Sequence, residues 1–312
     1  MATPEQHPEP GSSGRVARLP APALFLASGF TQYAGAALAV GLFAVIPAAS
    51  VAWWRLAVSA IVLLAWRRPW RQRWTRRQLG GAALFGIVLA TMNVAFYIAI
   101  EYLPLGTAVA IEFLGPVAVA GLTGRGWRER IGILLAAAGV VLLAGVQLEG
   151  GLSADVVIGL VAIFGSAAAW AGYILLGRRV AVQRDGIGSL AIGMAAGALV
   201  YSPLAIGAVV PIVTDPGRLA AVIGIAVLSS VIPYAIEQVV LRRVSAARFA
   251  ILLALLPVTA ALTGAVFLAQ RPSLVEVIGM VLICAAIVVS ASGPAESPAA
   301  DVADGPVGPI PS

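Results

Sequence analysis

Glu112 sits inside the run EYLPLGTAVAIEFLGPVAVA, residues 101 to 120, between Ile111 and Phe113 and just ahead of Gly115 and Pro116. A carboxyl in apolar surroundings favours its neutral form, because low dielectric penalises charge. It could therefore load and release a proton, or pair with the ammonium of a bound molecule. The plainer alternative is a static, protonated carboxyl hydrogen-bonded to a neighbouring helix. Arg55 follows Trp53 and Trp54 in a second apolar run. Facing hydrocarbon it would cost roughly 2.5 to 3.5 kcal/mol, so it either turns inward, where it could bind a carboxylate, or snorkels outward as an aromatic-belt anchor. Glu237 lies close to Gln238 and Arg242, which suits a gate or proton site and equally a loop-paired acid.

Uncharged groups join these three. Asn93 and Tyr97 are four apart and share a helix face, as do Trp170 and Tyr173 at a spacing of three. Gln32 is the polar residue of the first apolar run best suited to point inward, and Tyr234 neighbours Pro233. Rings with one polar tip line wet cavities well, and they also serve as interfacial anchors.

Much chemistry is excluded. The single histidine, His7, lies in a tail, and the single cysteine, Cys284, lies in an apolar run. No metal site and no histidine-based triad can be built from them, and no cofactor is expected. The chain has no lysine and no GxxxxGK[ST] loop, so it does not bind ATP in that manner.

The elements that must position these groups are set by composition. Of the 312 residues 60% are hydrophobic and 11% charged, with a mean hydropathy of +0.97. That is too much apolar surface for a globule to bury, and several runs approach the roughly 20 residues that cross a bilayer. The fold class is an all-α integral membrane protein. Ten helices are expected near 22–42, 47–66, 79–100, 105–123, 130–148, 155–176, 188–210, 218–240, 247–269 and 273–291. Glu112, eighth of the 19 residues from Leu105 to Thr123, then falls near mid-bilayer in a span of about 28 Å. Residues 1–20 and 293–312 are rich in Pro, Gly and small or acidic residues and are expected to be disordered tails.

All twenty basic residues are arginine. With the N-terminus cytoplasmic, seventeen fall in inside segments, only Arg218 and Arg271 fall outside, and Arg55 is intramembrane, so both termini are expected in the cytoplasm. The net charge of +6 thus reflects membrane topology and does not call for nucleic acid. The expected partners are the lipid bilayer and a small-molecule substrate, with a second copy of the chain, as a homodimer, also open.

AVAIEFLGPVAVAGLTG in the fourth span aligns with FAILLALLPVTAALTGA in the ninth, Pro116 over Pro257, at an offset of 141. IGILLAAAGVVLL in the fifth aligns with IGMVLICAAIVV in the tenth, Gly132 over Gly279, at an offset of 147. Five helices per copy is an odd number, so the second copy enters the membrane upside down. The charges agree: the segment after span three has Glu101 and no arginine, whereas its counterpart, LRRVSAAR, has three. The repeats run from 21 to 149 and from 150 to 292. Inverted repeats of this kind typify secondary transporters, with the substrate site near the midplane. GMAAG at 193–197 has the small-xxx-small spacing of closely packed helices.

The stretches TQYAGAALAVGLF at 31–43, WWRLAVSAIVLLAWRRPWR at 53–71, NVAFYIAIEYLPLGTAVAIEFLGPVAVA at 93–120 and PYAIEQVVLRRVSAARFAILLALLP at 233–257 resemble the threonine/homoserine exporter branch of the EamA-type drug/metabolite transporters. The resemblance implies two inverted EamA repeats in the bacterial inner membrane and export of amino acids or similar small metabolites. Two departures bear on substrate and coupling ion. Leu256 stands before Pro257 where the family commonly has Glu, and Ala269 and Gln270 stand where it often has LGE. The expected activity is alternating-access export, with proton coupling through Glu112 as one option. Efflux of lipophilic or drug-like compounds is the alternative. An intramembrane prenyl- or acyltransferase would want paired aspartates or a histidine, and a scaffold would not need acids at mid-helix.

Overall fold

The computed structural model describes residues 20–123, 126–148, 151, 153–181, 186–233, 236, 240 and 252–291, which form helices and turns with no strand among them. The expected tails therefore lie outside the described residues, apart from Pro20, as do Tyr234 and Glu237.

The helices are α1 (Ala21–Leu42), α2 (Ala48–Arg67), α3 (Arg76–Tyr102), α4 (Leu105–Glu112), α5 (Leu114–Thr123), α6 (Trp127–Leu148), α7 (Ala154–Ala181), α8 (Gly186–Val200), α9 (Pro216–Ala226), α10 (Leu255–Phe267) and α11 (Leu274–Ala291). Pro20, Pro47 and Pro104 sit immediately before α1, α2 and α4, where a missing N–H costs nothing because the first helical donors have no helical acceptor. Thr75 and Gln78 form a capping box at the start of α3. Asp215 caps α9 by accepting from the N–H groups of Gly217 and Arg218.

Six helical segments are long and apolar enough to cross a membrane, and four shorter apolar ones accompany them among the described residues. The seventh span, expected over 188–210, is helical only to Val200. Pro203 cannot donate to the carbonyl of Leu199, so the chain continues as a 3-10 turn, Ser202–Ala205, and a short helix, Val209–Val213.

Three further prolines shape the interior. The fourth span is not one helix: α4 stops at Glu112 and α5 begins at Leu114, because Pro116 has no N–H for the Glu112 carbonyl. The ninth breaks in the same way at Ala254, three residues before Pro257. The two breaks, at Phe113 and Ala254, are 141 residues apart, the offset of the aligned prolines. In the eighth span α9 runs into a π-helical turn, Val227–Val231, where the Ile232 N–H reaches back to the Val227 carbonyl, just ahead of Pro233.

Packing relates the two halves by exchange. The third span lies along the sixth and the eighth along the first; the third meets the seventh and the eighth the second; the fourth meets the sixth and the ninth the first. The fifth and tenth, α6 and α11, pack on each other. There a Cβ on Gly132 would come within 3.2 Å of the Ala286 carbonyl oxygen, and one on Gly279 within 3.0 Å of the Gly139 carbonyl oxygen. The first contact becomes the second under the 147-residue offset. Outward faces carry Leu134 and Val141 of α6, Val161 and Phe164 of α7, and Leu274 and Val281 of α11, an apolar exterior suited to acyl chains.

The small-residue spacing at 193–197 does what its pattern suggests: Gly193 and Gly197 both abut Gly86 of α3. A side chain at Gly86 would collide with the Gly193 backbone, whereas one at Gly80, on the same helix, meets nothing within 4 Å. Gly86→Val is therefore expected to destabilise the detergent-solubilised protein by about 1–3 kcal/mol or more, seen as a lowered Tm, while Gly80→Val leaves it within about 0.5 kcal/mol.

Candidate functional site

The break at Phe113 decides where Glu112 goes. Gly115 lets α5 approach α7 so closely that a Cβ there would collide with the Ala167 carbonyl. Two adjacent residues then make two rungs to α7. Ser166 Oγ lies 2.5 Å from Glu112 Oε1, and Phe113 packs edge-on against Trp170 with ring centroids 4.7 Å apart. Ser166 Oγ is also 2.9 Å from the Met92 carbonyl oxygen of α3. A hydroxyl has one proton to give. All three groups are satisfied at once when Glu112 is protonated and donates to Ser166 Oγ, and Ser166 donates to Met92. Deprotonation frees Ser166 to turn its proton toward the carboxylate. The trio is thus compatible with two hydrogen-bond arrangements, one for each protonation state of Glu112.

Arg55 faces the bundle and is only 9% exposed, so the aromatic-belt reading is set aside. Its Nε donates to Ser230 Oγ at 3.1 Å and an Nη donates to the Ser229 carbonyl at 2.9 Å. Ser229's carbonyl is available because the residue four positions on is Pro233, which has no N–H to offer it. The guanidinium also lies over the Tyr97 ring, 5.4 Å from its centroid. Every one of these described partners is neutral. A buried cation whose partners among the described residues are all neutral is costly. Tyr97 Oη, beneath the guanidinium, and Trp54 Nε1 are buried with no hydrogen-bond partner among the described residues, the kind of unmet polar capacity expected beside a ligand site.

The other expected residues divide. Asn93 and Tyr97 are both buried on the inward face of α3, but the Asn93 amide donates to its own helix at the Leu89 carbonyl, 2.8 Å away. Gln32 touches the site through its backbone, its carbonyl accepting from Ser229 Oγ at 3.0 Å. Trp170 joins the Glu112 region. Tyr173, one turn on, stacks on Phe85 at 4.6 Å in a separate apolar region formed with α2 and α8. Ser166, Ser229 and Ser230 were missed from sequence. Ser166 had a signal, since 166, 170 and 173 form one stripe of a helix face. The serine pair had only its position before Pro233.

An apolar-walled helical bundle with a charged, partly unsatisfied interior is the build of a multi-pass membrane transporter. Residues 157–292 match the EamA-like transporter family. The threonine/homoserine exporters RhtA of Salmonella typhimurium strain LT2 and Escherichia coli strain K12 are each 32% identical, over 89% and 81% of this chain and 93% and 84% of their own lengths. A crystal structure 20% identical in sequence superposes with a TM-score of 0.53, covering 86% of this chain and 96% of that one, and carries the fold alone. The chain belongs to the EamA-like transporter family.

If Ser166 and Glu112 act as one unit, a double-mutant cycle of Glu112→Gln and Ser166→Ala is expected to return a coupling of about 1–2 kcal/mol in thermal unfolding; additive losses would deny the contact.

Proposed function

We propose that this transporter is a secondary exporter of small amino acids, threonine- or homoserine-like, and that it works by alternating access between two inverted five-helix repeats. The observation that carries the reading is Arg55, buried and bonded to neutral partners among the described residues. An α-amino acid brings one carboxylate for the guanidinium and one ammonium for the carboxyl. In the proposed cycle the substrate carboxylate displaces the Ser229 carbonyl from Arg55, and the ammonium or a proton occupies Glu112. Aromatic walls from Tyr97 and Trp170 exclude water. Release on the far side lets Glu112 take up a proton again through Ser166.

Ten crossings with both termini in the cytoplasm are part of the proposal. The exchanged packing of the two halves and the 141- and 147-residue relations support the repeat, and the family match over 157–292 coincides with its second copy. Relatives named as exporters support the direction of transport and argue against an enzymatic role. Leu256 and Gln270, which replace two carboxylates of the family pattern, favour the second reading, efflux of lipophilic compounds.

Everted vesicles offered labelled L-threonine and L-homoserine separate the two. Wild type is expected to accumulate both, faster with a pH gradient. Arg55→Gln should raise KM by about 10- to 100-fold, the loss of a charge-assisted hydrogen bond worth about 1.5–3 kcal/mol. Glu112→Gln should remove the response to the gradient. Transport of a lipophilic cation with no amino-acid transport would favour efflux of lipophilic compounds.

A further inference from the structure

The beginning of α4 meets the turn between α10 and α11 at a second polar place, whose lining does not include Arg55. Leu105 N–H donates to Gln270 Oε1 at 3.0 Å. Thr107 Oγ1 and Gln147 Nε2 donate to Glu276 Oε1 at 3.1 and 3.0 Å, and the Ser273 N–H donates to Glu276 Oε2 at 2.8 Å. Glu276 is thereby buried, 6% exposed, and fixed by residues of both halves of the chain. Between them lies a cavity of about 150 Å³ lined by Pro104, Thr107, Gln270, Arg271, Glu276 and Met280, among others.

Two opposite charges border this one cavity and are not paired with each other. The Glu276 carboxylate takes three neutral donors, and its Oε2 keeps a free acceptor position. Arg271 is exposed and makes no ion pair with it. A cavity lined by a carboxyl held by three donors, an exposed guanidinium and the apolar Pro104 and Met280 suits a small zwitterion. A cavity of about 150 Å³ has room for a small ligand as well as for water. Helix α4 joins this place to the central one: Thr107 and Glu112 are five residues apart, or about 7.5 Å along the axis.

We propose that this cavity is a second binding site for a small zwitterionic α-amino acid, its ammonium at Glu276 and its carboxylate at Arg271, so that substrate passes from one site to the other along α4. The inference rests on the amino-acid reading of the central site and adds to it a separate stopping point. In the arginine-derived topology the cavity opens to the outer face, since Arg271 is one of the two arginines outside, so it is the release side for an exporter.

The test is equilibrium binding of tritiated L-threonine to the purified, detergent-solubilised full chain, counting sites. Wild type is expected to bind two per chain. Arg271→Gln, at an exposed position, and Glu276→Gln, which keeps an oxygen for Thr107 and Gln147, should each weaken one site at least tenfold and leave the other intact. Arg55→Gln should do the reverse. One site, sensitive to Arg55→Gln and indifferent to Arg271→Gln, overturns the second site while the central one stands. One site sensitive only to Arg271→Gln supports the outer cavity and counts against the central reading. No binding by wild type overturns both. A Glu276→Gln protein that fails to fold leaves the Arg271→Gln measurement to decide.

Discussion

In a hydrocarbon interior a backbone carbonyl has no water to turn to, and Pro116, Pro233 and Pro257 each withhold the N–H that the residue four positions earlier would receive. The rest of the interior depends on how those three vacated positions are used. At Glu112 the helix breaks, and the carboxyl finds Ser166 of α7. At Ser229 the helix widens into a π-turn and the carbonyl is taken by Arg55. At Leu253 the helix breaks again but the side chain is apolar, and one residue on the Ala254 carbonyl accepts from Cys284 Sγ. Two of the three defects thus hold the charged groups of the site, and the third is the symmetric copy with its chemistry removed.

That asymmetry is compatible with the proposed repeat. Both copies keep the break, which gives each half a place to bend, while only the first keeps the carboxyl. Arg55 belongs to the first half and its acceptors to the second, so the guanidinium ties the halves together through contacts that a carboxylate can replace. The polar strap from Leu105, Thr107 and Gln147 to Gln270 and Glu276 ties them a second time, toward one end.

Glu112, Arg55 and the prolines were readable from the chain because each breaks an otherwise apolar pattern, and breaking it has a cost that marks the place. Ser229 and Ser230 were not readable, and Ser166 only through its place on the stripe of Trp170 and Tyr173, since a serine in a helix satisfies itself on its own backbone and costs little anywhere. Nor could the stripe of Trp170 and Tyr173 show that its members would part, one to Phe113 and one to Phe85. The early end of the seventh helix was concealed because hydropathy runs on past Val200, while Pro203 acts on backbone bonding that hydropathy does not weigh. Glu276 was overlooked for a related reason: it reads as an ordinary first-turn acid of α11, and only the approach of α4 and α6 from the other half encloses it.

By itself the sequence determined the helical membrane class of the molecule, the offset that aligns its prolines, and the presence of an acid and a base within apolar runs. These follow from composition and period, which act locally along the chain. The tertiary structure alone decided which groups meet: that Arg55 turns inward to a carbonyl freed by Pro233, that Glu112 shares one serine proton with Met92, and that Arg271 and Glu276 face one cavity. Those are contacts between residues some 50 to 175 positions apart or across a turn. They depend on glycine-sized clearances between helices, which no local pattern encodes.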